Sequence, residues 1–148
     1  MIINRRPLEN VFQTAQEMRR LTLQYWGDLG AWLDAPFISF FNFVCALPYR
    51  EDPPDVETVS RPLYLLDEKY EPRDCDDKAI LIASWLHGHG LPVRFVGVST
   101  LQNGELCHVF TECRGIDIDA TYPEYHGIFG KYPYYSQVTN RVNLTNFF

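Results

Sequence analysis

Four cysteines and four histidines supply the nucleophiles and imidazole bases of this 148-residue chain, and one cysteine stands apart from the rest. Asp74-Cys75-Asp76-Asp77 sits where a proline-rich stretch meets an apolar run from Ala79 to Leu86, a pattern that predicts a helix starting at Asp74. A sulfur in the first turn of a helix lies near its unpaired N–H groups and the positive end of its dipole, which favours thiolate over thiol. Asp74, Asp76 and Asp77 oppose the negative sulfur, so thiol chemistry here requires a histidine partner. His87 and His89 fall at the far end of the same helix, roughly 18–21 Å along its axis, too far to act on Cys75. His126 lies in a Gly- and Tyr-rich loop whose position the sequence leaves open. His108, in a strand of the sheet on which the helix must pack, is the economical partner.

Strand register identifies a third member. With Arg114-Gly115 as a two-residue hairpin loop, His108 opposes Thr121, Phe110 opposes Asp119 and Glu112 opposes Asp117, all on one face. Asp119 is then the diagonal neighbour of His108 at about 7–8 Å, a gap that an imidazole and a carboxylate bridge, whereas Asp117 lies two positions further along. The same register turns Cys107 and Cys113 to the opposite face, so Cys107 and His108 are poorly placed to chelate one ion, and there is no C-x₂-C pair. No metal or other cofactor is expected. Cys45 belongs to an apolar segment and reads as core. Cys75, His108 and Asp119 together make a nucleophile, a general base and an orienting carboxylate.

The elements that must position them follow from periodicity. Leu8, Val11, Phe12, Ala15, Met18, Thr22, Tyr25, Trp26 and Leu29 recur at helical spacing opposite Glu9, Gln13, Gln16, Glu17, Arg20 and Gln24, predicting an amphipathic helix that stops near Gly27. A second, apolar helix is expected over about 36–47. Residues 48–73 hold five of the ten prolines and form an irregular excursion with one helical turn around Leu63 to Lys69. After the Asp74 helix, which Gly88, Gly90 and Pro92 end, Val93–Leu101 and Leu106–Cys113 flank Asn103-Gly104 as a hairpin, and Ile116–Thr121 adds a strand. Tyr122 to Phe148 is expected to cover the sheet as further strand and loop, its aromatics serving mainly as packing. Helices followed by an antiparallel sheet imply an α+β fold with a core helix packed on the sheet.

Composition narrows the partners. An apolar fraction of 46% with 15% aromatics suits a compact domain that assembles its core without metal or disulfides, so the cysteines read as thiols. Thirteen Lys plus Arg against nineteen Asp plus Glu leave a net charge of −6 and no basic run, which argues against nucleic acid. The first eight residues lack the apolar stretch of a secretion signal, and the run from Phe37 to Leu47 is too short for a membrane span. A cytoplasmic protein with no membrane partner is the expectation.

Asp74-Cys75-Asp76-Asp77-Lys78-Ala79, then Gly90-Leu91-Pro92-Val93-Arg94-Phe95-Val96, His108-Val109-Phe110 and Asp119-Ala120-Thr121-Tyr122-Pro123, resemble the transglutaminase-like superfamily of papain-fold thiol enzymes. Its usual motifs run Gly-Asp-Cys, His-Val-Trp and Asp-Pro-Thr in that order. Asp52-Pro53-Pro54 and Arg61-Pro62 look like the loop before the cysteine in small members, some of them phage-encoded. The resemblance spans roughly residues 50 to 123 and implies a papain-like core in which Cys75 is nucleophile, His108 general base and Asp119 orienting residue. It implies acyl transfer from, or hydrolysis of, peptide or protein amides through a thioester. Arg73, Phe110 and Ala120 depart from the common Gly, Trp and Pro; Arg73 in place of Gly is expected to narrow the cleft or pair with a substrate carboxylate.

The resulting organisation is one domain: a helical N-terminal part over 1–47, a catalytic core over 48–123 and an aromatic C-terminal part over 124–148. The alternative is a non-catalytic structural or binding domain, such as a virion-associated protein, that keeps the fold. Oligomeric state is not legible.

Overall fold

A computed structural model describes residues 2–4, 8–50, 56–67, 69, 73–122 and 138–147. A short strand β1 (Ile2–Asn4) precedes helix α1 (Leu8–Tyr25), which buries Ala15, Met18, Leu21 and Thr22 and leaves Gln13, Gln16 and Arg20 exposed. Two residues break the expected split between its faces. Phe12 is exposed, and Glu17 is buried because the Arg20 guanidinium covers its carboxylate, donating through Nε at 2.9 and 3.1 Å.

The α-helix ends before Gly27, as the glycines predict, but the chain continues to coil: Trp26–Asp34 winds as 3₁₀-helix with a break at Gly30, whose φ of 55° is left-handed. Helix α2 (Phe37–Ala46) follows Pro36 and buries Phe40, Phe41 and Val44. The proline-rich excursion is more ordered than its composition suggests. It contains β2 (Val56–Thr58), which pairs antiparallel with β1, and α3 (Pro62–Leu65), the predicted helical turn. The β1–β2 pairing was invisible in sequence because each strand is three residues long and its partner lies some fifty positions away.

Helix α4 (Cys75–Gly88) is buried on nearly every side, with Ile80, Leu81, Ile82 and Ala83 at 0% exposure. Each fully buried Ile or Leu contributes about 1.5–3 kcal/mol of hydrophobic stabilisation. One side of α4 packs on α1, the 3₁₀ segment, α2 and α3; another lies against a four-stranded antiparallel sheet formed by β3 (Val93–Ser99), β4 (His108–Cys113), β5 (Ile116–Ile118) and β6 (Asn140–Phe147). The spatial order is β5-β4-β3-β6, so the last strand closes the edge beside β3. The molecule is α+β. Among the described residues no single helix is long and apolar enough to cross a membrane.

The sheet's two faces have different partners. Val109 and Cys113 belong to the core shared with α4, and Thr111 Oγ1 donates to the Ala79 carbonyl at 2.9 Å, pinning strand to helix. Phe110, Val96 and Val98 form a second apolar cluster with Tyr122 and Val138. The hairpin between β4 and β5 has the expected register, pairing Thr111 with Ile118, Glu112 with Asp117 and Cys113 with Ile116. Arg114 (φ 51°) and Gly115 (φ 83°) make the tight turn with both central residues at positive φ, the geometry that matches the twist of a two-residue hairpin.

Candidate active site

Cys75 opens α4, and a reciprocal cap fixes the helix start. Asp74 Oδ1 accepts the backbone N–H groups of Asp76 (3.1 Å) and Asp77 (3.4 Å), while Asp77 Oδ2 accepts that of Asp74 (3.1 Å). The acidic run is therefore structural at positions 74 and 77, where each carboxylate replaces an absent intrahelical partner. Lys78 is buried beside it, and its ammonium donates to the Cys45 carbonyl at the end of α2 (3.2 Å), a favourable place for a cation at a helix C-terminus.

His108 heads β4, and its Nε2 lies 2.7 Å from Asp119 Oδ2. The two residues are 5% and 1% exposed, so water does not compete for the contact. Asp119 Oδ1 accepts the backbone N–H of Thr121 at 3.0 Å, fixing the carboxylate plane. Phe110 and Tyr122 flank the imidazole with ring centroids at 5.8 and 5.1 Å, the tyrosine edge-on at 61°. Asp117 is turned elsewhere: its carboxylate receives Arg141 at 2.9 and 3.0 Å.

One cavity of about 80 Å³ joins these parts. Cys75 and Asp76 of α4 line it with Cys107, His108 and Val109 around the start of β4, so residues of both sheet faces meet there. Val11, Thr14 and Met18 of α1 and Leu144 of β6 close it. Gly97 in β3 permits that closure: a Cβ there would stand 2.9 Å from Leu106 Cδ1 and 3.3 Å from Leu144 Cδ1, both on side chains that line the cavity. The cavity is a slot for a single side chain or small group and not for a folded surface.

The other sequence-singled residues separate clearly. His87 packs edge-on against Trp26, and burial, then the charge of Arg19, holds its imidazole below the usual range. His89 caps α4, stacks on Trp85 at 3.8 Å and meets the Leu33 carbonyl at 2.8 Å. His126 lies outside the described residues, as do the aromatics from Tyr125 to Tyr135. Burial pushes the Cys113 thiol up, and Cys45 is half-buried against the core.

One expectation is corrected. Arg73 does not reach the cleft: it is fully buried, and its guanidinium donates to the main-chain carbonyls of Leu65 (3.1 Å), Pro48 (3.2 Å) and Asp67. It ties the proline-rich excursion to the residue before the cap, which explains why a long side chain stands at a position where glycine is common in the resembled motif. Cys107 precedes β4, is exposed, and lines the same cavity as Cys75 and His108. The α1 and β6 walls went unread in sequence, since contacts between residues 11–18 and 144 leave no local periodicity.

Among the described residues no group of three or more His, Cys, Asp or Glu side chains is arranged to hold a metal ion. No family model, curated protein or solved structure matches the chain.

Proposed function

We propose that the protein is a thiol-dependent acyltransferase or hydrolase acting on peptide or protein amides, built on a transglutaminase-like, papain-fold core. The buried His108–Asp119 contact on the cavity that Cys75 also lines carries this reading. In the proposed cycle His108 takes the Cys75 proton, Sγ attacks the amide carbonyl, and the C–N bond breaks as the imidazolium protonates the leaving amine. Water or a second amine then displaces the thioester and restores the thiol. Since Nε2 of His108 faces Asp119, the ring nitrogen assigned to the thiol is Nδ1. Asp119 stabilises the imidazolium and fixes its orientation. The backbone N–H of Cys75, at the start of α4, is the proposed oxyanion donor.

One observation favours the non-catalytic alternative: Sγ of Cys75 lies 3.9 Å from Asp76 Oδ1 as a hydrogen-bond donor, a contact that favours the neutral thiol. Labelling with neutral iodoacetamide at about pH 6.5, with peptide mapping, decides between them. Cys75 labelled well before the exposed Cys107 supports the enzyme; Cys107 labelled first overturns it. An electrophilic amide probe that labels the wild-type chain and not Cys75→Ala then reports amide-directed reactivity.

A further inference from the structure

The cavity beside Cys75 carries two carboxylates to which the acyl-transfer cycle assigns no role. Asp76 is 4% exposed, lines the cavity and accepts from Sγ of Cys75 at 3.9 Å. Its backbone N–H is held by Asp74 at 3.1 Å, so the carboxylate rides on the fixed first turn of α4. Unlike the carboxylates of Asp74 and Asp77, whose oxygens accept the capping N–H groups, that of Asp76 faces the Cys75 thiol. Glu105, held through its N–H to Asn103 Oδ1 at 2.9 Å, adds a second negative group on the loop before β4. Among the described residues, the other titratable lining groups are the Cys75 and Cys107 thiols and His108, backed by Asp119, while α1 contributes Val11, Thr14 and Met18 and β6 contributes Leu144. No lysine or arginine is among the described lining residues.

We propose that Asp76 is a specificity-determining residue of the Cys75 site, making it select amides that carry a cationic group beside the reacting carbonyl over those that carry an anionic one. The apolar walls suit the methylenes of a basic side chain, and the carboxylate in a poorly hydrated slot meets its ammonium or guanidinium. An anionic group in the same slot is repelled by Asp76 and Glu105 together. The inference rests on Cys75 being the nucleophile, and its test keeps the two ideas apart.

The test uses two methanethiosulfonates of similar size and opposite charge, one bearing a trimethylammonioethyl and the other a sulfonatoethyl group. In each, the Cys75 thiolate attacks the sulfenyl sulfur, the S–S bond forms, and methanesulfinate leaves. Rates are measured by intact mass and peptide mapping in a Cys107→Ser background and normalised to N-acetylcysteine methyl ester. The cationic reagent is expected to react at least roughly tenfold faster at Cys75. Asp76→Asn reduces that preference at least about threefold, and Glu105→Gln reduces it less. Salt at about 1 M, with a Debye length of about 3 Å, screens the field of the whole chain while the preference set by Asp76 survives, a result that needs no variant at position 76. A ratio near one, a preference abolished by salt, or one unchanged in a folded Asp76→Asn protein overturns the proposal. Sluggish iodoacetamide labelling of Cys75 overturns the enzymatic reading instead, whatever the charge ratio.

Discussion

At the scale of single residues, His108 and Asp119 are a buried pair whose members depend on each other. Removing the imidazole outright would leave the carboxylate buried without its partner, so His108→Gln is a cleaner probe of catalysis than His108→Ala. Cys75→Ala is expected to abolish amide turnover, and His108→Gln to lower kcat by about 10²–10⁴ with the circular dichroism spectrum unchanged. Asp119→Ala should give a large but incomplete loss, and Asp117→Ala, at a carboxylate turned toward Arg141, little change. Kinetics that rank Asp117 above Asp119 would contradict the assignment. The positions of Cys75, His108 and Asp119 in the fold were legible because a helix start, a strand and a two-residue hairpin each impose a local rule. Arg73 was misread because nothing local distinguishes an arginine that reaches a substrate from one that binds three carbonyls across a fold.

Among the elements, the α4–β4 contact decides whether the thiol and the imidazole share a cavity. The Thr111 hydroxyl on the Ala79 carbonyl locks that contact one turn into the helix. Thr111→Val keeps the volume and removes the bond, with an expected cost of about 1 kcal/mol in denaturant melts and a fall in kcat larger than any change in KM. Truncation of the helix core is a different kind of damage: Ile80→Ala should cost about 2–5 kcal/mol without a specific effect on the surviving folded fraction. Gly97 is the strand's counterpart. Gly97→Val drives a side chain against Leu106 and Leu144, and should slow Cys75 labelling more than it lowers stability. The sequence showed α4, the β4–β5 register and α2 because each is contiguous. It concealed the role of Gly97, whose neighbours across the sheet and in the loop are many residues distant.

For the whole molecule, stability and site are linked through the packing of the helices around α4. Asp28 of the 3₁₀ segment receives Arg61 at 2.8 and 2.7 Å and the Leu63 N–H at 3.0 Å, joining that segment to the start of α3. The hydrogen-bonded Arg61 guanidinium holds the Asp28 carboxyl below the usual carboxylate range. A depressed folded-state value gives stability that is present above the unfolded value of about 3.9 and is lost as pH falls through the folded one. Thermal melts below about pH 4 should therefore drop more steeply for the wild-type chain than for Asp28→Asn, and parallel curves would show the pair to be inconsequential. The cavity draws its walls from α1 near one end of the described chain and β6 near the other. A ribosome releases those walls in order, α1 before α4 and Leu144 only after α4 and the β4–β5 hairpin. During synthesis the Cys75 thiol consequently emerges before the wall that Leu144 supplies, and the docking of β6 beside β3 turns an open groove into a walled cavity.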